Sequence, residues 1–277
     1  GSQHQTTSLP LAGLLGSVLG RVGSHPSMKV VLLGATGATG KRLAKQLLAK
    51  KHRVTAIVRN TKTEALAPVA SDANFTQVLG TVLDFSEEEL AKHVSQCEAI
   101  CVCLGHNLSF GGIFGKPRLL VTDSLKKIVR CVGKSDPKKK IKLVLMSSNG
   151  CQAHGTGLEE KYSRADRFLL GLFYFLLPPH KDNVLAAKWL RSDAFKQAHP
   201  NVEWVQVRPG DLIENESEAY EMMATSTSGA LFGSDQTSRL QVAHCMAALI
   251  DTPALWHQWK GQQPVLKDLS EAKTTST

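Results

Sequence analysis

Apolar positions along the chain change period repeatedly, and each change marks a new element. Lys29–Leu33 is a short run of Val and Leu, the pattern of a strand. Lys41–Lys50 sets Leu43, Leu47 and Leu48 at helical spacing. Arg53–Val58 and Phe75–Leu79 return to strand patterns. Ser86-Glu87-Glu88-Glu89 is a capping box that opens a helix carrying Leu90 and Val94. Ala99–Leu104 is apolar without a break, as in strands buried on both faces. Leu119–Val132 aligns Leu120, Leu125, Ile128, Val129 and Val132 on one helical stripe. Ile141–Met146 predicts a strand, Val184–Phe195 a helix and Val202–Val207 a further strand. A second capping box, Ser238-Arg239-Leu240-Gln241, precedes Val242, Cys245, Met246 and Leu249 on one helix face.

Strands alternating with helices predict an α/β domain, a doubly wound parallel sheet covered by helices on both faces. A single domain is expected over residues 28–265, with an extension over 1–27 and a flexible tail over 266–277. Residues 155–183 break the rhythm and are rich in Leu and Phe. They read as a substrate-side cover, and the piece Phe168–Leu177 within them as a cover for a flat apolar substrate, a buried helix packed on the fold, or a membrane-facing patch.

Composition narrows the partners. The chain has 277 residues, 42% of them hydrophobic, enough for a substantial core. Its formal charge of +9 suits an anionic partner: nucleic acid, an anionic membrane or a phosphorylated ligand. The run Lys138-Lys139-Lys140 reads as a solvated turn, and no nucleic-acid motif accompanies it, so nucleic acid is not expected. The six cysteines lack zinc-finger spacing and read as free thiols in a reducing compartment. Cys101 and Cys103 would share one strand face. The histidines are scattered without metal-ligand spacing, so no metal is expected. The longest apolar segment, Phe168–Pro179, falls short of the about 18 residues of a membrane span, and membrane contact is not expected. Residues 1–27 lack acids and carry several Leu and Arg21, which fits a flexible extension or the remnant of an organelle leader. A cytoplasmic location is otherwise expected.

The chemistry begins at Gly34-Ala35-Thr36-Gly37-Ala38-Thr39-Gly40, between the first strand and the first helix. In that context the first glycine permits a tight turn, the second lets backbone approach a pyrophosphate, and the third lets helix and strand pack closely. The helix N-terminus then offers free N–H groups to phosphate. Thr36, Ala38 and Thr39 complete the loop. About 20 residues past Gly40, where an acid would hold the ribose hydroxyl of NAD, stands Arg59, which suits the 2′-phosphate of NADP(H). Lys62 lies near enough to help.

With these residues in view, the chain resembles the atypical short-chain dehydrogenase/reductases, specifically the NmrA-like NAD(P)-binding group with its Rossmann fold, and is similar to biliverdin/flavin reductases. The resemblance runs over roughly 28–265. Besides the glycine loop it rests on Val58-Arg59, Gly80-Thr81-Val82-Leu83-Asp84, Val102-Cys103-Leu104-Gly105, Leu145-Met146-Ser147-Ser148-Asn149-Gly150, Arg208-Pro209-Gly210 and the late Ser238-Arg239 with Cys245-Met246. It implies that Asp84 and Phe85 contact adenine, that Leu104 and Gly105 flank ribose and nicotinamide, and that Ser147 and Ser148 lie near the reacting group. It also implies that Arg208, Pro209 and Gly210 border the nicotinamide.

The Tyr-x-x-x-Lys pair of typical relatives is missing: Lys188 lies on an expected helix, but Val184 stands four residues before it. Lys188 then either holds ribose hydroxyls or lies on the surface. Candidate proton donors are His180, Tyr162 and Tyr174. His180 with Asp182 could instead be a turn capping the helix from Val184, with Asp182 or Asn183 as its N-cap. The loop at His106-Asn107 is either a contact near the nicotinamide or a plain connection. The resemblance implies an NADPH-dependent reductase of a small apolar or conjugated carbonyl, flavin or quinone acceptor, acting as a monomer or homodimer. An NADP(H)-binding redox sensor and a scaffold subunit that keeps the dinucleotide for stability are the competing readings.

Overall fold

The computed structural model describes residues 26–61, 64–106, 110–133, 140–151, 162–226 and 236–269. Most of the extension, Lys62, Lys138-Lys139, Asn107, residues 155–161 of the Leu-rich segment and residues 270–277 lie outside them.

Strands and helices alternate from the start. β1 (Lys29–Leu33), α1 (Ala38–Ala49), β2 (Arg53–Val58) and β3 (Phe75–Leu79) form the first half, with a 3-10 turn at Glu64–Val69. α2 (Glu87–Val94), β4 (Ala99–Val102), α3 (Phe110–Phe114), α4 (Leu120–Gly133) and β5 (Ile141–Met146) follow. Three helices come next, α5 (Arg164–Leu176), α6 (Pro178–Arg191) and α7 (Asp193–Ala198), and then β6 (Val202–Pro209). The chain continues through β7 (Asp211–Ile213), β8 (Tyr220–Met223), β9 (Gln236–Ser238), α8 (Arg239–Asp251), α9 (Pro253–Trp259) and β10 (Val265–Asp268). Both capping boxes form as read: Ser86 and Ser238 each accept from the N3 backbone while Glu89 and Gln241 reach back.

The main sheet runs β3-β2-β1-β4-β5-β6-β10-β8, parallel except for β8, which pairs antiparallel with β10. Strand order reverses between β1 and β4, and a doubly wound sheet opens a crevice at the carboxyl ends of the strands there. Alternate residues supply the two faces. Val30, Leu32, Ala99, Cys101 and Cys103 pack with α1 and α8; Val31, Leu33, Ile100 and Val102 pack with α2, α4 and α6. All six cysteines are free and buried.

Three expectations need correction. The helix expected over Val184–Phe195 starts at Pro178 and breaks at Ser192, whose hydroxyl accepts from Phe195 N and so starts a new helix. Neither Asp182 nor Asn183 is the N-cap of its own helix, because α6 has already begun. The tail expected from 266 begins as β10, which pairs with β6 and β8 up to Asp268.

Candidate functional site

Gly34 turns the chain out of β1 at φ +79°, and a side chain there would meet the Cys103 carbonyl at 2.4 Å. A side chain at Gly40 would lie 2.0 Å from the Gly34 carbonyl oxygen. These two glycines are therefore demanded by the protein's own packing. Gly37 differs: it is exposed, together with Thr36 and Ala38, whereas Thr39 and Gly40 are buried beneath them. Gly37 N donates to Gly34 O at 3.0 Å, which closes the turn. It then caps α1 in an extended conformation, with no side-chain cap and no acid in the first turn. The first N–H groups of α1 and the positive end of its dipole are left for a ligand.

Neighbouring strands deliver their ends to the same rim. Parallel register pairs Leu33 with Ile57, so Arg59 lies beside the glycine loop, one strand over. Arg59 is exposed, and no carboxylate pairs with it among the described residues. After β3, Asp84 N bonds both the carbonyl and the hydroxyl of Thr81, at 3.2 Å each. Asp84 is exposed, while the Phe85 ring covers Gly80, where an added Cβ would meet it at 2.5 Å. Lys127 of α4 holds this turn by donating to the carbonyls of Leu83 and Phe85. After β4, Leu104 is half-buried and Gly105 is exposed, with nothing within 4 Å of an added side chain.

At β5 the rim becomes polar. Ser147 is buried, and the Ser148 hydroxyl lies 3.7 Å from the Cys151 sulfur. Burial raises the Cys151 thiol, which the Ser147 and Ser148 hydroxyls partly offset. Tyr162 is buried and donates to Asn149 O at 2.7 Å, so its hydroxyl anchors the serine loop. The structure brings His180 to this loop: a side chain at Gly150 would lie 3.5 Å from its ring. Burial lowers the His180 pKa, which favours the neutral imidazole at neutral pH.

Lys188 takes the surface alternative, and Arg208 lies away from the rim. Lys188 does not reach inward. On α6 the buried positions are Asp182, Ala186, Ala187 and Leu190, and Lys188 lies on the opposite side of the helix with its ammonium over the Tyr174 ring at 5.4 Å. Arg208 is fully buried and cannot border a nicotinamide. Its guanidinium donates to the carbonyls of Gln263 and Cys151, at 2.8 and 2.9 Å, and ties β6 to two loops. Pro209 is likewise buried in β6, and its carbonyl receives Asn149 N; Gly210, half-exposed, donates to Thr237.

One arrangement escaped sequence reasoning. Asp182 is fully buried and accepts from Val121 N and Thr122 N, at 2.7 and 2.9 Å. It therefore caps a helix, but that helix is α4. The same carboxylate takes His106 Nε2 at 3.0 Å, directly after Gly105. Asp182 thus links α6, α4 and the loop after β4. The proximity of His106 to Leu104-Gly105 was the available signal; nothing local paired it with a residue 76 positions on.

A glycine turn, a bare helix N-terminus and open space beside Gly105, all at one switch point, define a dinucleotide-binding fold of the doubly wound class. Comparison with known proteins agrees. The chain belongs to the NAD(P)H-binding family, whose model matches residues 34–253. Similar folds include a wide-type short-chain dehydrogenase/reductase from Veillonella parvula in complex with NADP. It is 16% identical, with TM-score 0.63 over 88% of this chain and 95% of that one. A Streptococcus pneumoniae protein described as an NADH-flavin reductase is 15% identical, with TM-score 0.60 over 87% and 100%. A Bacillus halodurans protein described as an NAD-dependent epimerase/dehydratase is 20% identical, with TM-score 0.61 over 87% and 94%. No curated protein matches the chain by sequence. No described helix is long and apolar enough to cross a membrane.

Proposed function

We propose that the protein is an NADPH-dependent reductase that passes hydride to a small apolar or conjugated acceptor of the carbonyl, flavin or quinone type. The observation that carries the reading is Arg59, an exposed guanidinium at the end of β2, without a carboxylate partner among the described residues and beside the uncapped start of α1. That pairing suits a pyrophosphate and a ribose 2′-phosphate together. The neighbour from Veillonella parvula, solved with NADP, supports the same cofactor class. The nicotinamide cofactor supplies the hydride when bound. Gly37 lets the backbone approach its phosphates, and Gly105 leaves room beside the sheet.

The protein's part in the chemistry is orientation and enclosure. Neutral His180 and the Ser148 hydroxyl stand at the end of β5, suited to hydrogen-bond an acceptor rather than to supply a strong acid. Solvent then delivers the proton, as a conjugated acceptor allows. The outward Lys188 and the committed Tyr162 hydroxyl favour a second reading, an NADP(H)-binding redox sensor without turnover.

Arg59→Asp separates the cofactor question from the fold. Fluorescence titration should show NADPH affinity falling by about tenfold or more, with NADH nearly unchanged, for loss of one bidentate charge-assisted contact. Equal loss for both cofactors would sink the assignment. NADPH consumption over quinones, flavins and enals then distinguishes reductase from sensor.

A further inference from the structure

The outer surface of α5 is apolar where a helix of a soluble fold is normally polar. Phe168, Leu172, Phe175 and Leu176 are 72%, 40%, 80% and 56% exposed. Their spacing puts them on one stripe. The opposite side carries the buried Asp166 and Leu170, and Leu170 packs against Gly150. Large apolar side chains scattered singly need no explanation, but a contiguous stripe marks a surface that meets something.

Charge identifies the partner. Arg164 and Arg167 are exposed on the first turn of α5. Lys181 and Lys188 are exposed on the outward face of α6, their ammonium groups 5.6 and 5.4 Å from the Tyr174 ring centre. The only carboxylates between residues 162 and 192 are Asp166 and Asp182, and both are folded inward. Asp166 accepts from the Ser163 hydroxyl, and Asp182 caps α4. The α5–α6 ridge therefore displays aromatic and aliphatic side chains with positive charge and no negative charge.

We propose that this ridge docks on the surface of an anionic lipid bilayer. The stripe of α5 enters the headgroup boundary, and the four cations meet lipid phosphates and carboxylates. α5 has 13 residues, about 20 Å of helix, and lies in the plane of the interface instead of crossing it. A second copy of the chain fits less well, because a two-fold contact across the stripe brings each cation toward its own kind. The formal charge of +9 favours the same partner at longer range. The proposal runs against the expectation of no membrane contact, and it does not depend on which cofactor or acceptor the glycine rim takes.

The test is vesicle co-sedimentation of the full chain. Vesicles of equal parts phosphatidylserine and phosphatidylcholine should bind it at least about tenfold more tightly than phosphatidylcholine alone, with the difference shrinking as salt rises. Phe168→Ser/Phe175→Ser should weaken that binding by about tenfold or more. Arg164→Gln/Arg167→Gln/Lys181→Gln should remove the preference for phosphatidylserine, at roughly fivefold per cation. Both variants should keep the wild-type circular dichroism and dinucleotide binding. No sedimentation with anionic vesicles, or equal binding by folded variants, overturns the proposal. So does a dimer seen by sedimentation velocity that Phe168→Ser/Phe175→Ser dissolves.

Discussion

The two edges of the sheet use polar chemistry in opposite ways. At the amino-terminal edge, polar groups close on one another. His52 Nδ1 accepts from Met28 N at 3.1 Å, which leaves its Nε2–H to donate to Asp251 at 2.5 Å. Lys50 takes the other oxygen of Asp251, and Lys142 donates to the Ile250 carbonyl. Glu203 receives both the Trp256 indole and Lys260. A cleft of about 340 Å³ opens here between Lys140, Lys142, Glu203 and Trp256, but those groups already hold protein partners. At the carboxyl-terminal edge the helix start is bare, Arg59 stands exposed and Gly105 faces open space. One rim satisfies itself, and the other is built to be completed by a ligand. A single sheet can thus be locked at one end and receptive at the other.

Substitutions on each rim can break this contrast. The largest effect is expected from Gly40→Ala, whose methyl would sit 2.0 Å from a backbone oxygen that cannot swing aside. α1 must move off β1, at a cost of about 3 kcal/mol, and dinucleotide binding should vanish with the displaced helix start. Urea unfolding with a fluorescence titration measures both; unchanged stability would show that the turn tolerates the methyl.

Asp251→Asn probes the closed rim. It should cost about 2 kcal/mol, since His52 and Lys50 lose a charged acceptor in a buried place, while dinucleotide affinity stays at the wild-type value. Burial pushes the Asp251 carboxyl up, but the hydrogen bonds from His52 and Lys50 and the charge of Lys50 outweigh it and set the pKa below the ordinary 3.8. A carboxylate depressed in the folded state contributes stability above the unfolded value, and loses it as pH falls through the folded one. Wild type should therefore lose this advantage over the variant below about pH 4. Parallel stability curves for the two proteins across that range would remove Asp251 from the account.

What could be read in the chain beforehand follows the reach of its interactions. The glycine turn and the capping boxes at Ser86 and Ser238 rest on groups within a few residues of each other. Local chemistry decides them, and the amino-acid order displays it. Asp182 and Arg208 belong to the other class. Asp182 meets His106 and the start of α4, and Arg208 meets Gln263 and Cys151, all more than 50 positions away. Arg208 is polar enough to read as a site group and Asp182 as a cap of its own helix, yet the fold commits both to joining distant segments. The short strands β7 to β10 escaped for a related reason. With three or four residues each they show no period, and pairing with distant strands creates them. For Lys188 two places stayed open, ribose or surface, because a family position is not an orientation; the buried face of α6 puts it on the surface.

Gly105→Ala should have the smallest effect on stability and the sharpest meaning. A side chain there meets no protein atom within 4 Å, and the backbone is not held in the left-handed region. The folded protein should accept it within about 0.5 kcal/mol, unlike Gly40→Ala on the same rim. If the open space is where ribose and nicotinamide lie, the methyl takes room that belongs to the ligand. NADPH affinity should then fall by about tenfold, the effect of one misplaced contact, with the urea midpoint unmoved. Loss of binding without loss of stability is a signature that packing alone cannot produce. A variant that binds NADPH as wild type would mean the dinucleotide passes elsewhere, and the contrast between the two rims would have to rest on the glycine turn alone.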